Sequence, residues 1–388
     1  MHNSNVKILT NVELPLYFNK EIIYKTWEKF PYVRMNGIFS IPINSFLQSS
    51  SIISLKYNSI VKVAYSLSHL VSYCENKKLN LNDFNEDNFI ELSKKLSNSG
   101  ISNNSTNYIL KNILYFFEFY GEEFLQEPNY VIKMFNACIN INSHNSEEYF
   151  YHSCLLPKSE LKVRNPINIE NIDKIYEQID NLYVGKFAQK RTRIIIKLLE
   201  ITGARVSEIA NIKVLDIERA LTDKNLLKVK TLKRKQEEHR YIPVSKDKLS
   251  EIVTYIKIFR IKVIKNTIGT EKDHGFLLIN EKTGKPLTSN TISNDMIRLR
   301  DLAGIEQQTC AHMFRHRFIT NMFIKLIEQY DLENKDSFRN ALMDLETLKV
   351  HIKEISGHKN ISSLEHYIHL AKSELTNIDK VLNKVFEN

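Results

Sequence analysis

Along residues 54–75, SLKYNSIVKVAYSLSHLVSYCE, the apolar positions Leu55, Ile60, Val63, Leu67, Leu70 and Val71 return every three or four residues. That period lays them along one stripe of an α-helix. The stretch LNDFNEDNFIELSKKLSNSG, 81–100, predicts a short amphipathic helix between Asn and Asp caps and a glycine stop. SNNSTNYILKNILYFFEFYG, 102–121, repeats the layout, with Ile109, Ile113, Leu114 and Phe117 on its apolar face, and a further segment runs through 128–140. These elements make residues 46–152 an all-helical module with lysines scattered over its polar faces. Residues 1–45 read as an irregular, polar extension, with PYVRMNG and IPINS as breakers.

HSCLLPKSELKVRNP, 152–166, carries two prolines between periodic segments, so residues 153–166 read as a linker and 167–388 as a second domain. Here NIENIDKIYEQI and KRTRIIIKLLEITG predict helices, the second ending at Gly203. NLLKVKTLKRKQEEHRYIPVS, 225–245, alternates on both sides of a charged middle, as two short strands joined by a loop do. KLSEIVTYIKIFRIKVIKN follows as a basic amphipathic helix, and helical character continues to the tail. The tail, about 372–388, aligns Leu375, Ile378, Val381, Leu382, Val385 and Phe386 on one stripe, which suits a helix folded on its own domain or one donated to a neighbouring protomer. The predicted fold class is mainly α, in two domains, with one small antiparallel sheet.

Composition narrows the class. The 388 residues are 43% hydrophobic with 18 Tyr and 20 Phe, enough to close real cores, and Gly (10) and Pro (8) are too scarce for a turn-rich β fold. A net charge of +9 is compatible with nucleic acid as partner and equally with a merely basic soluble protein. The four cysteines are far apart and show no metal spacing, which reads as reduced thiols in the cytoplasm. No signal layout and no apolar run of membrane-spanning length is present, so no membrane role is expected.

The chemistry concentrates in AHMFRHRFIT, 311–320, where His312, Arg315, His316 and Arg317 interleave with Met313 and Phe314. His312 and His316 share a helix face, as two zinc ligands can. However, Met313 stands where a zinc protease needs Glu, and Arg315 and Arg317 would repel a dication, so no metal is expected. Elsewhere TGARVSEIANIKVLDI carries Arg205, and GHKNISSLEHYIH carries His358 and, nine residues on, Tyr367. Arg205, Arg315, His312, His358 and a hairpin lysine form an inventory of cationic and neutral donors without paired carboxylates for magnesium. Such a set suits a pentacoordinate phosphorane: guanidinium forks for its oxygens, imidazoles for protons and a phenol as nucleophile.

These segments resemble the boxes of the tyrosine recombinases, the family of phage integrases and Xer proteins. TGARVSEIANIKVLDI is similar to the family's first arginine box, HMFRH to its H-x-L-R-H box, and GHKNISSLEHYIH to its G-H…Y-x-H terminus. Together they cover about 160–370. Ala204, Phe314 and Ser356 depart from the usual residues as packing changes, and residues 324–354 lengthen the usual interval as a helical insertion. The resemblance implies a helical core-binding domain and a catalytic domain that close as a clamp on duplex DNA.

It also implies roles. Arg205 and Arg315 would clamp the scissile phosphate, His312 would assist proton transfer, His358 would bond a non-bridging oxygen, and Tyr367 would attack to give a 3′-phosphotyrosyl link without cofactor or metal. The general acid would be a hairpin lysine among Lys230, Lys233 and Lys235. KTLK places Lys233 at the end of the first strand, which favours it. Lys230, Arg234, Lys235 and Arg317 would contact phosphates, His316 would have a structural role, and Glu208 would orient Arg205 or cap its helix. Partners would be DNA with inverted-repeat half-sites and a homotetramer on two duplexes, with the tail as exchanged helix, in Xer-type resolution or mobile-element integration and transposition. A type IB topoisomerase and a DNA-binding regulator without catalysis stand as alternatives.

Overall fold

The structure is a computed structural model that describes residues 5–18, 21–141, 148–157, 165–231, 238–307, 309–329, 349–350, 352–357 and 364–375. The chain divides into two compact units, Met1–Lys162 and Val163–Asn388.

The first unit begins with strands, not with an irregular extension. β1 (Val6–Phe18) and β2 (Glu21–Met35) form a long antiparallel pair from Val6↔Val33 to Phe18↔Glu21, and β3 (Ile38–Phe39) adds to β2. The supposed breaker PYVRMNG holds the reason. Asn36 and Gly37 both take positive φ, 51° and 77°, which is the backbone a two-residue hairpin turn needs. Pro31, read as an interruption, sits inside β2 opposite Ile8. Val6, Phe30 and Val33 then point into the unit's core.

Helices follow: α1 (Ile41–Gln48), which the supposed breaker IPINS opens with Pro42 in its first turn, and α2 (Ser50–Ile53), then, as the periodicity indicates, α3 (Tyr57–Lys77), α4 (Glu86–Asn98), α5 (Asn103–Tyr120) and α6 (Tyr130–Phe135). Asn85 starts α4 through a reciprocal cap, its Oδ1 accepting from Asn88 N at 3.1 Å while Asn88 Oδ1 accepts from Asn85 N. The core is aromatic: Phe84 stacks on Phe117 at 5.2 Å, and Phe117 meets Phe135 at 4.9 Å. A second pair of strands, β4 (Cys138–Ile141) and β5 (Glu148–Tyr151), again departs from the all-helical reading. The stretch read as linker starts as a docked strap. Ser93 Oγ donates to the Cys154 carbonyl at 3.1 Å, and Asn107 bonds both backbone groups of Leu156.

The second unit is mostly helical: α7 (Ile169–Leu182), α8 (Lys186–Thr202), α9 (Val206–Ala210), α10 (Val214–Thr222), strands β6 (Leu226–Thr231) and β7 (Glu238–Pro243), then α11 (Lys246–Tyr255), α12 (Ile261–Thr267), α13 (Ser289–Leu302), α14 (Ala311–Gln329) and α15 (Glu365–Leu375). Residues 352–356 are also helical. The hairpin pairs Leu226↔Pro243 through Thr231↔Glu238. Leu227, Val229, Thr231, Arg240 and Ile242 are buried on its inner face, whereas Lys228, Lys230, His239 and Tyr241 lie on the other. As expected, α8 ends at Gly203, whose φ of +53° suits a residue without Cβ. A Cβ there would lie 2.4 Å from Phe318, so α8 and α14 approach closely at this point. The supposed insertion begins as the last residues of α14, and the tail stripe beyond Leu375 lies outside the described residues. No helix among the described residues is long and apolar enough to cross a membrane.

Candidate active site

The turn after Gly203 positions the first arginine. Arg205 precedes α9, and Glu208, one turn in, accepts its backbone N–H on Oε2 at 2.9 Å and its Nη1 on Oε1 at 2.9 Å. The carboxylate therefore caps the helix and aims the guanidinium together. Burial alone would push the Glu208 carboxyl up. The hydrogen bond and charge of Arg240, then the N–H and charge of Arg205, outweigh burial and hold it below the ordinary carboxylate value.

Arg315 comes from α14 and is only 1% exposed. Its Nη1 donates to the Gly203 carbonyl at 3.0 Å and its Nη2 to the Ser356 carbonyl at 2.6 Å. The guanidinium is thus fixed between the end of α8 and the end of the 352–356 helix. Burial, then the charges of Arg205 and Arg240, push its pKa down to about 10, with Glu208 and Tyr367 opposing. It remains a cation at neutral pH; Arg205 and Arg240 meet on Glu208, and Arg315 is tied to Gly203, two residues before Arg205.

Tyr367 lies on α15, 4% exposed, in a small apolar cluster with Ile319, Phe323, Ile352, Leu364, Ile368 and Ala371. This cluster joins α15 to α14. The Tyr367 ring packs on His316 at 5.2 Å, and His316 meets His312 edge-on at 4.5 Å. His312 is exposed, so the ladder of rings runs from the surface to the phenol. Burial raises the Tyr367 pKa, and the cations Arg315 and Arg205 partly offset that rise. At neutral pH the group is a phenol and must lose its proton to act as nucleophile.

Of the residues singled out from sequence, Arg205, Arg315, His312, His316 and Tyr367 are brought together. Lys233, Arg234, Lys235 and His358 lie outside the described residues. The described part of the first strand ends at Thr231. Lys230 is on the hairpin's other face and lines a pocket of about 410 Å³ with Lys213, Lys228 and His239. Arg317 donates to the Ile167 carbonyl at 3.1 Å and lines a groove with Asp173 and Glu200. Among the described residues no group of three or more His, Cys, Asp or Glu side chains is placed to hold a metal ion.

Sequence reading passed over Arg240. It is buried on β7, its Nη2 donating to Glu208 Oε2 at 2.7 Å and its Nη1 to Thr231 Oγ1 at 3.3 Å. Its signal was an arginine in the apolar phase of an alternating strand, two residues before Ile242, inside a hairpin crowded with surface charge.

Two guanidiniums held by carbonyls and a carboxylate beside a buried phenol have the chemistry to hold a phosphate against an oxygen nucleophile. Residues 166–333 match the phage integrase family. The chain is 26% identical over 324 residues to the tyrosine recombinase XerH of Campylobacter jejuni subsp. jejuni serotype O:2, covering 75% of this chain and 81% of that protein. It is 26% identical over 220 residues to the tyrosine recombinase XerC of Bacillus pumilus, covering 57% and 62%. In three dimensions it resembles the XerH site-specific recombinase bound to palindromic difH substrate in a post-cleavage complex, with a TM-score of 0.55 and 20% identity, covering 84% of this chain and 80% of that one. The match to XerC spans under two thirds of that protein's length. The family match covers residues 166–333, and the relatives this chain resembles are tyrosine recombinases.

Proposed function

We propose that this protein is a site-specific DNA recombinase that cuts and rejoins strands through Tyr367, with double-stranded DNA as substrate. The observation that carries the reading is geometric: Arg315 is fixed on the Gly203 carbonyl, two residues before Arg205, and its neighbour His316 packs on the Tyr367 ring at 5.2 Å. The two guanidiniums would neutralise the non-bridging oxygens, each worth about 3 kcal/mol of barrier. The Tyr367 Oη–P bond forms as the P–O5′ bond breaks, leaving a 3′-phosphotyrosyl ester and a 5′-hydroxyl. The phenolic proton passes toward His312, and the departing O5′ takes a proton from the hairpin loop, assigned to Lys233; His358 would bond a non-bridging oxygen. The phosphodiester energy is kept in the ester, so attack by a partner strand's 5′-hydroxyl reseals DNA without nucleotide or cofactor.

One tyrosine serves one strand, so exchange between two duplexes calls for four protomers on inverted half-sites, with the tail beyond residue 372 as the element exchanged between them. The phosphate contacts assigned to Lys230, Arg234, Lys235 and Arg317 belong to the same reading, as do the core-binding module at 46–152 and a cytoplasmic place of action. The test is a supercoiled plasmid carrying two copies of a site that this protein selects from a random-sequence library. The expected result is resolution or inversion in EDTA without ATP. Relaxation of plasmids lacking the site, with no exchange, would replace this reading with a type IB topoisomerase.

A further inference from the structure

The buried ion pairing around Glu208 carries one more assignment, which rests on the reading above. We propose that Arg240 is a positioning residue: it holds one oxygen of Glu208 so that this carboxylate aims Arg205 at the scissile phosphate without enclosing its guanidinium.

Glu208 Oε2 takes Arg240 Nη2 at 2.7 Å and the Arg205 backbone N–H at 2.9 Å, so only Oε1 remains for the Arg205 side chain. A carboxylate with both oxygens open forms a two-pronged fork with arginine and would draw Arg205 back from a phosphate. Arg240 prevents this by occupying the second prong. It also ties together the three segments that bear the candidate site residues. Its Nη1 reaches Thr231, the last residue of β6, two residues before Lys233 in the sequence. The same Nη1 packs beneath Gly357, where a Cβ would come within 3.1 Å, one residue after Ser356, whose carbonyl holds Arg315. A cation in this place also keeps the local charge positive: three guanidiniums face one buried carboxylate.

An ordinary buried ion pair would serve stability alone, and the two roles separate by experiment. The probe is a duplex bearing the library-selected site, nicked to trap cleavage, made once with a normal scissile phosphodiester and once with a methylphosphonate that lacks one negative oxygen. Duplex affinity and thermal melting are measured beside cleavage. Arg240→Met should bind DNA within about threefold of wild type and cleave the phosphodiester about 100-fold more slowly. On the methylphosphonate, which asks less of Arg205, its deficit should shrink to about threefold, with Arg240→Lys intermediate on the phosphodiester. An equal deficit on both probes, or no deficit on the phosphodiester, overturns the assignment. If Arg240→Met does not fold, the same contrast read on Arg240→Lys decides in the same way. Failure of the wild-type protein to cleave the phosphodiester at all would instead sink the recombinase reading.

Discussion

Where the first unit closes its interior with Phe84, Phe89, Phe116, Phe117 and Phe135, the second closes part of its interior with Glu208, Arg240 and Arg315. Ring on ring is a stabilising arrangement: each buried side chain contributes about 1.5–3 kcal/mol, and nothing polar is stranded. Buried ions are different, because their mutual attraction barely offsets the desolvation they suffer. Arg315 bears the mark of that cost in a pKa pushed down to about 10. On the proposed reading, the difference teaches that the second unit gives up stability at this spot to keep cations fixed in low dielectric, where they would act strongly on a phosphate.

The comparison can be broken by matched substitutions. Phe117→Ala should cost the first unit about 3–5 kcal/mol in urea unfolding, because the ring that meets Phe84 and Phe135 leaves a cavity. Arg315→Leu strands the Gly203 and Ser356 carbonyls and should cost the second unit about 1–3 kcal/mol, less than Phe117→Ala costs the first, yet slow strand cleavage by about 100-fold or more. A large stability loss from Arg315→Leu, comparable with that of Phe117→Ala, would mean that the arginine is chiefly structural.

Acid gives a smaller, sharper contrast. Glu208 is held low against its own burial by Arg240 and Arg205, and Asp273 is held low first by its hydrogen bonds to Arg260. Carboxyls with depressed folded values contribute stability that is present above their unfolded values, about 4, and is lost as pH falls through the folded ones. The melting temperature of the second unit should therefore fall below about pH 4, and Glu208→Gln should remove part of that dependence. A melting temperature that stays level through this range would contradict the ionised state of both groups.

The helices were readable because their period, caps and stops agree: α4 begins at the Asn85 cap, and α8 stops where Gly203 takes positive φ. The hairpin's two strands follow the alternation on either side of its charged middle. Most of the converging site was readable too, since Arg205, Arg315, His312 and Tyr367 sit in dense, ordered motifs. The N-terminal strands were missed because Pro31 and the polar positions masked their alternation, and Asn36–Gly37 punctuates a hairpin as readily as a loop. Arg240 was hidden for another reason. In a basic hairpin one more arginine looks like surface charge, and only the fold turns its side chain inward, onto Glu208.

Everything in the catalytic reading passes through one oxygen. Denaturing electrophoresis of protein mixed with the nicked, library-selected duplex, followed by peptide mapping, tests it directly. Wild-type protein should yield a covalent DNA adduct on the peptide containing Tyr367, and Tyr367→Phe should yield none while still binding the duplex. An adduct of undiminished amount in Tyr367→Phe, or one mapped to a different residue, would contradict the account.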